Sequence, residues 1–195
     1  MADGKIKSTR SRLSEMDTFT EQIQLASLDQ LRIYSKTPDI VATPADYALL
    51  PFFQHMAQIL VSGADIDVVI KTHFMTLAAE SLLMRKTGSI LSNSHTIDFM
   101  KEFSNLLAGK TKAMLEESGF VVAQSLPFAI RGYNEIFYKV RLENSNQRVW
   151  SLKWNGSDIQ CSVNITLKTQ RDFKPLGTIQ YNAQNQDDVG DVEIF

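Results

Sequence analysis

The chain has 195 residues, a length that suits one domain or a compact doubled unit, and its 44% apolar content supplies a core. Its 20 basic and 22 acidic residues nearly cancel, which argues against a bulk field for nucleic acid or for an anionic membrane. One cysteine, Cys161, rules out an intrachain disulfide framework and fits a reducing cytoplasm, the expected location. No apolar run approaches the ~20 residues of a membrane span.

Residues 1–16 are polar, with Lys5, Lys7, Arg10 and Arg12, and read as a loose arm or helix lead-in. Met1–Arg12 lacks the apolar core of a signal peptide. Asp17–Ser35 reads as an amphipathic helix, with Phe19, Ile23, Leu28 and Leu31 at roughly helical spacing and Pro38 as its stop. Within it Glu21 and Gln24 form an acid–amide pair at i, i+3. Pro44 and Pro51 bracket an irregular or short helical stretch. Two strands are expected over Met56–Gly63 and Ile66–Lys71, turning at Gly63-Ala64-Asp65. A second helix is expected over about Phe74–Lys86, stopped by Gly88.

Ser89–Ser94 reads as a polar linker, and Thr96 as the N-cap of a long central helix ending at Gly119. At about 100° per residue, Phe99, Phe103, Leu106, Leu107 and Met114 share one face of it. Asp98, Glu102, Asn105, Gly109, Lys112 and Glu116 share the other, with Asp98 placed in the first turn. Glu102 and Asn105 are i, i+3 neighbours, and Gly109 follows at i+4 from Asn105. A glycine inside a helix costs roughly 1 kcal/mol relative to alanine. Close approach of another backbone is one reason to keep it. From these residues alone, an ordinary amphipathic helix with a solvated acidic face accounts for most of the pattern.

Strand candidates follow at Phe120–Ile130 (interrupted at Pro127), Glu135–Leu142 and Val149–Lys168, the last turning at Asn155-Gly156. Residues 169–195 are expected to hold a C-terminal strand and an acidic tail, Asp187–Phe195. That tail suits either a terminus without partners or a tethered docking peptide. The order of elements predicts an α+β fold, an antiparallel sheet with long helices packed on one face, built from a duplicated helix–hairpin unit. The expected domain spans residues 17–168.

Conventional chemistry is not legible. His55, His73 and His95 are scattered, with no metal-ligand spacing to Cys161 or to paired acids. No phosphate loop, dinucleotide fingerprint or nucleophile elbow occurs. A chain of this kind would have to meet its reactive centre in a partner or substrate.

The central stretch nevertheless forms a pattern: Asp98, three residues, Glu102, two residues, Asn105, then Leu106-Leu107-Ala108-Gly109-Lys110-Thr111-Lys112, Ser125-Leu126-Pro127 and Gly132. This resembles the CheC/CheX/FliY family of chemotaxis phosphatases, and CheX more than CheC because one good copy is present. Pro127 follows Asn105 after 21 residues, one fewer than the family spacing.

The resemblance implies a phosphatase for the aspartyl phosphate of a CheY-like receiver domain. It implies that Asn105 orients the attacking water, that Glu102 pairs with the receiver's lysine, and that Asp98, Gly109 and Lys112 contact the partner. Gly109 and the short Ser104 would leave room for that partner. The chain would carry no metal or cofactor of its own, Mg2+ being the receiver's, and would form a homodimer without engaging nucleic acid or membrane. Glu21 and Gln24 echo the pair as a degenerate second copy, but Leu28 stands where the glycine would follow, so they are left off the catalytic set. A receiver-binding adaptor or flagellar-switch-like module without catalysis, and a dimerisation domain pairing edge strands among residues 135–168, are the competing readings.

Overall fold

The computed structural model describes residues 2–46, 53–89, 92–131, 145–169, 176 and 178–182, with side chains from residue 14 onward. The strand expected over Glu135–Leu142, Gly132 and the acidic tail lie outside these residues.

Helix α1 (Ala2–Ser35) is longer than its apolar periodicity indicates, and residues 2–16 continue it. Met16, Phe19, Ile23, Ala26 and Leu31 line its buried stripe. Lys36 turns left-handed at φ 54°, Thr37 N–H closes onto Arg32 O at 2.9 Å, and the Arg32 guanidinium donates to Ile40 O at 2.6 and 2.9 Å. The chain then forms a short strand, β1 (Val41–Pro44), just ahead of the stretch bracketed by Pro44 and Pro51, most of which lies outside the described residues. The hairpin follows as expected, β2 (His55–Gly63) and β3 (Ile66–Phe74), and then helix α2 (Thr76–Thr87). Gly88, at φ 75°, closes α2 by donating its N–H to Met84 O at 2.7 Å.

Helix α3 (Asn93–Glu117) begins earlier than predicted: Ser92 is its N-cap residue, and Thr96 is buried inside it. Asp98 therefore lies beyond the first turn, and instead of capping the helix it pairs with Lys101 at 2.8 Å. Beyond α3 come β4 (Val122–Gln124), β5 (Phe128–Arg131), β6 (Ser145–Trp154) and β7 (Ser157–Leu167). Asn155 and Gly156 both take positive φ, 42° and 77°, in the two-residue turn between β6 and β7.

The strands form one antiparallel sheet in the order β1-β6-β7-β3-β2, with β4 and β5 both on the far side of β2. Alternate residues point to one face, among them Ile59, Val61, Val68, Ile70, Trp150, Leu152, Ile165 and Val163, all buried. The helices cover that same face. Trp150 Nε1 donates to Ser27 of α1 at 2.9 Å, Trp154 Nε1 to Ser81 of α2 at 3.0 Å, and Thr72 meets Ser104 of α3 at 3.2 Å. The α+β architecture with helices on one face is thus as the sequence predicts.

The duplicated unit has a crossed form. Helix, short strand and hairpin occur as α1-β1-β2-β3 and again as α3-β4/β5-β6-β7. Each half's short strand pairs with the other half's hairpin, β1 with β6 and β4 with β2. The helices cross too: α1 packs on β6, and α3 on β2. Strand β7 is flanked along its length by β6 and β3, whereas β1 covers only Trp150–Lys153 of β6; residues 135–144 of the expected pairing region lie outside the described residues.

Past the sheet, Leu176 and Ile179 are buried in the same core, and Tyr181 N–H donates to Gln22 Oε1 on α1 at 2.7 Å.

Candidate functional site

Helix α3 buries two positions per turn. Phe99, Met100, Phe103, Ser104, Leu107, Ala108, Thr111, Met114 and Leu115 all face inward. Ser104 is among them, with its hydroxyl donating to Met100 O at 3.0 Å, so it leaves no room for a partner and that expectation is corrected. Leu106 is only half-buried, at the margin of the stripe.

The opposite face carries the predicted residues in one row. From Asp98 to Lys112 it extends for about 20 Å at 1.5 Å per residue. Asp98 is exposed, and Glu102, Asn105, Gly109 and Lys112 are half-buried. Lys112 pairs with Glu116 one turn on, at 3.2 Å.

Glu102 and Asn105 meet as their spacing requires. Asn105 Nδ2 points to Glu102 Oε2 at 3.4 Å. The other end of the carboxamide is held from the sheet: Gln124 of β4 donates Nε2 to Asn105 Oδ1 at 2.6 Å and to the Asn105 backbone oxygen at 3.2 Å. Gly109 lies beside that side chain. Among the described residues a Cβ there would find only Gln124 Oε1, at an ordinary 3.8 Å, so none of their backbone demands the glycine.

Beside Glu102 stands Tyr34 of α1, whose ring stacks on Phe99 at 4.7 Å between centroids. Lys86 Nζ sits 3.4 Å from the centre of the Tyr34 ring. Burial first, and the Glu102 carboxylate second, push the Tyr34 hydroxyl above its ordinary pKa. The phenol therefore stays neutral next to the acid.

Other reactive side chains lie elsewhere. Cys161 is buried and its thiol is pushed up to about 12, chiefly by that burial, so it is no nucleophile. His55 Nε2 lies 3.0 Å from Thr76 Oγ1, and His95 is engaged with Ser92. No group of three His, Cys, Asp or Glu among the described residues could hold a metal. The echo pair on α1 is occupied differently: Glu21 is ion-paired to Arg148 of β6 at 3.2 Å.

Gln124 and Tyr34 escape sequence reasoning. Tyr34 lies near the end of a helix whose apolar spacing gives no weight to its neighbours on α3. Gln124 had a faint signal. Strand alternation puts it on the inward side with Val122, and an amide there has to find a polar partner on the covering helix.

No family model and no curated protein matches the sequence. Solved structures do. A CheC-like superfamily protein from Shewanella sp. PV-4 aligns with a TM-score of 0.63 and 13% identity, covering 76% of this chain and 97% of that one. The chemotaxis protein CheX from Vibrio vulnificus aligns with a TM-score of 0.63 and 15% identity, over 75% of this chain and 98% of its own. A chain of the CheX-CheY-BeF3-Mg2+ complex from Borrelia burgdorferi aligns with a TM-score of 0.59 and 18% identity, over 77% and 98%.

Proposed function

We propose that this chain, which has the fold of CheC-like and CheX chemotaxis proteins, binds a CheY-like receiver domain and hydrolyses its aspartyl phosphate. The observation that carries this reading is the Glu102–Asn105 pair on the outward row of α3, its carboxamide held at both ends.

The chemistry asks little of this protein. In the proposed reaction a water oxygen attacks phosphorus while the bond between phosphorus and the aspartyl oxygen breaks. The carboxylate leaves with the electron pair, and inorganic phosphate carries away the water's proton. Such a transfer needs an in-line water and charge stabilisation rather than a protein nucleophile. The receiver brings its own lysine and Mg2+. Asn105 contributes a carboxamide that both donates and accepts and does not titrate, so it can orient a water at any physiological pH. Glu102 is assigned to the receiver's lysine, fixing register through a charge-assisted hydrogen bond. Asp98, Gly109 and Lys112 extend the contact along the same row. The absence of a side chain at Gly109 lets the receiver's backbone come close.

The proposed substrate is a cytoplasmic species, so the reaction is assigned there. We further propose a homodimer, pairing sheet edges among residues 135–168; light scattering giving a monomer mass at working concentration would overturn it.

The test is the decay of a phosphorylated CheY-type receiver with Mg2+, alone, with the wild-type protein and with Asn105→Ala. Acceleration by wild type and none by the variant sustains the reading. Equal acceleration by both refutes the role of Asn105. Binding without acceleration points to the adaptor instead.

A further inference from the structure

We infer that Gln124 is a positioning residue for Asn105, fixing which end of its carboxamide faces outward. The geometry stands by itself; its consequence for rate rests on the phosphatase reading of Asn105.

A carboxamide has two ends of similar shape and opposite hydrogen-bonding character. On an exposed helix face it can flip and change rotamer freely, so its oxygen is presented only part of the time. Here its neighbours differ in kind. Glu102, as a carboxylate, only accepts, and it faces Nδ2 at 3.4 Å. Gln124 Nε2 only donates, and it faces Oδ1 at 2.6 Å. A flip of Asn105 would set its oxygen against the carboxylate and its nitrogen against Gln124 Nε2, and a flip of Gln124 would set its Oε1 against both Asn105 oxygens. The pair of contacts therefore selects one orientation.

Gln124 is itself well anchored. Its backbone is fixed by β4, where it stands opposite Val61 of β2. Its Nε2 makes a second bond to the Asn105 backbone oxygen at 3.2 Å, so the amide straddles the very residue it orients. Gly109 leaves the space beside it open. A carbonyl oxygen has two lone pairs. One takes the Gln124 hydrogen, and the other remains to accept a hydrogen from the attacking water. The water's own lone pair then turns toward phosphorus.

The partner's lysine is met by Glu102, not by Gln124, so losing Gln124 affects the chemical step and not docking. Gln124→Met keeps length and shape but removes the donor. It is expected to lower kcat about fivefold, the scale of one side chain's lost ordering, with KM for the phosphorylated receiver unchanged. Gln124→Glu keeps the shape and reverses the polarity. It competes with Glu102 for Nδ2 and turns Oδ1 away, so its kcat falls further than that of Gln124→Met. Thermal unfolding of both variants checks that they fold as wild type does. The Asn105 side-chain amide signals in the 1H–15N spectrum of the free protein give a readout apart from activity. They are expected to shift and to exchange faster in Gln124→Met.

Wild-type kcat in Gln124→Met, with Asn105 signals unchanged, overturns the inference. So does a rise in KM with kcat unchanged. If the wild-type protein itself leaves the receiver phosphate untouched, the phosphatase reading fails, and the amide signals alone decide: unchanged, they overturn the positioning role; shifted, they sustain it.

Discussion

Trp150 on β6 donates its indole N–H to the hydroxyl of Ser27 on α1, 2.9 Å away, with both side chains fully buried. The serine in turn donates to Gln24 O at 2.7 Å. This bond ties the first helix to a strand far along the chain. Ser27→Ala would leave the indole donor buried without this partner, and a buried polar group left unpaired costs about 1–3 kcal/mol. The urea midpoint should fall by that amount divided by the m-value, which itself stays unchanged. A wild-type midpoint would mean the indole had found another acceptor.

Two glycines respond in opposite ways to an added methyl. At Gly63 a Cβ would lie 2.2 Å from the backbone oxygen of Val121, a group that cannot yield without moving the start of β4. Gly63→Ala should destabilise by about 1–3 kcal/mol, the usual range for overpacking.

At Gly109 the added methyl meets only an ordinary contact. Gly109→Ala should stabilise the free protein by up to about 1 kcal/mol, because a helix interior favours alanine. If a receiver backbone approaches here, the same substitution weakens binding to it. Opposite signs in thermal melting and in receiver affinity would separate the two roles of this position, and unchanged affinity would remove Gly109 from the contact.

His73 is held neutral. Burial, and then the neighbouring Lys71, lower its pKa from 6.5 to about 4. The unfolded chain therefore takes up a proton before the folded one does. Stability is full above about pH 6.5, is lost as pH falls, and levels off below about pH 4, a total loss of about 3 kcal/mol. In His73→Gln the unfolding free energy should change less between pH 7 and 4. An unchanged slope would assign the acid sensitivity to other groups.

The echo pair on α1 gives a negative prediction. Glu21→Ala should cost at most about 1 kcal/mol, as its pair with Arg148 is solvent-exposed. Together with Gln24→Ala it should leave receiver dephosphorylation at the wild-type rate. A fall comparable to that of Asn105→Ala would revive a second site on α1.

What could be read from sequence was local. The i, i+3 spacing brings Glu102 and Asn105 together, and Asn155-Gly156 specifies its turn, with no help from the rest of the chain. Misreadings arose where distant residues decide. Strand β1 is four residues ending in proline, and it exists because Leu152 and its neighbours lie alongside. The short Ser104 reads as room for a partner, but it bonds Met100 O in its own helix and Thr72 on the sheet, so burial costs it little. Gln124 reaches Asn105 across 19 positions, a contact no periodicity encodes.

The crossed halves bear on how the chain is made. As synthesis proceeds, α1 emerges well before the strand it covers, β6. Likewise the β2–β3 hairpin waits for α3 to cover it. Until Trp150 has left the ribosome, α1 lacks the strand it packs on, and its apolar stripe stays exposed. The β6–β7 hairpin is thus what ends that exposure to chaperones and proteases.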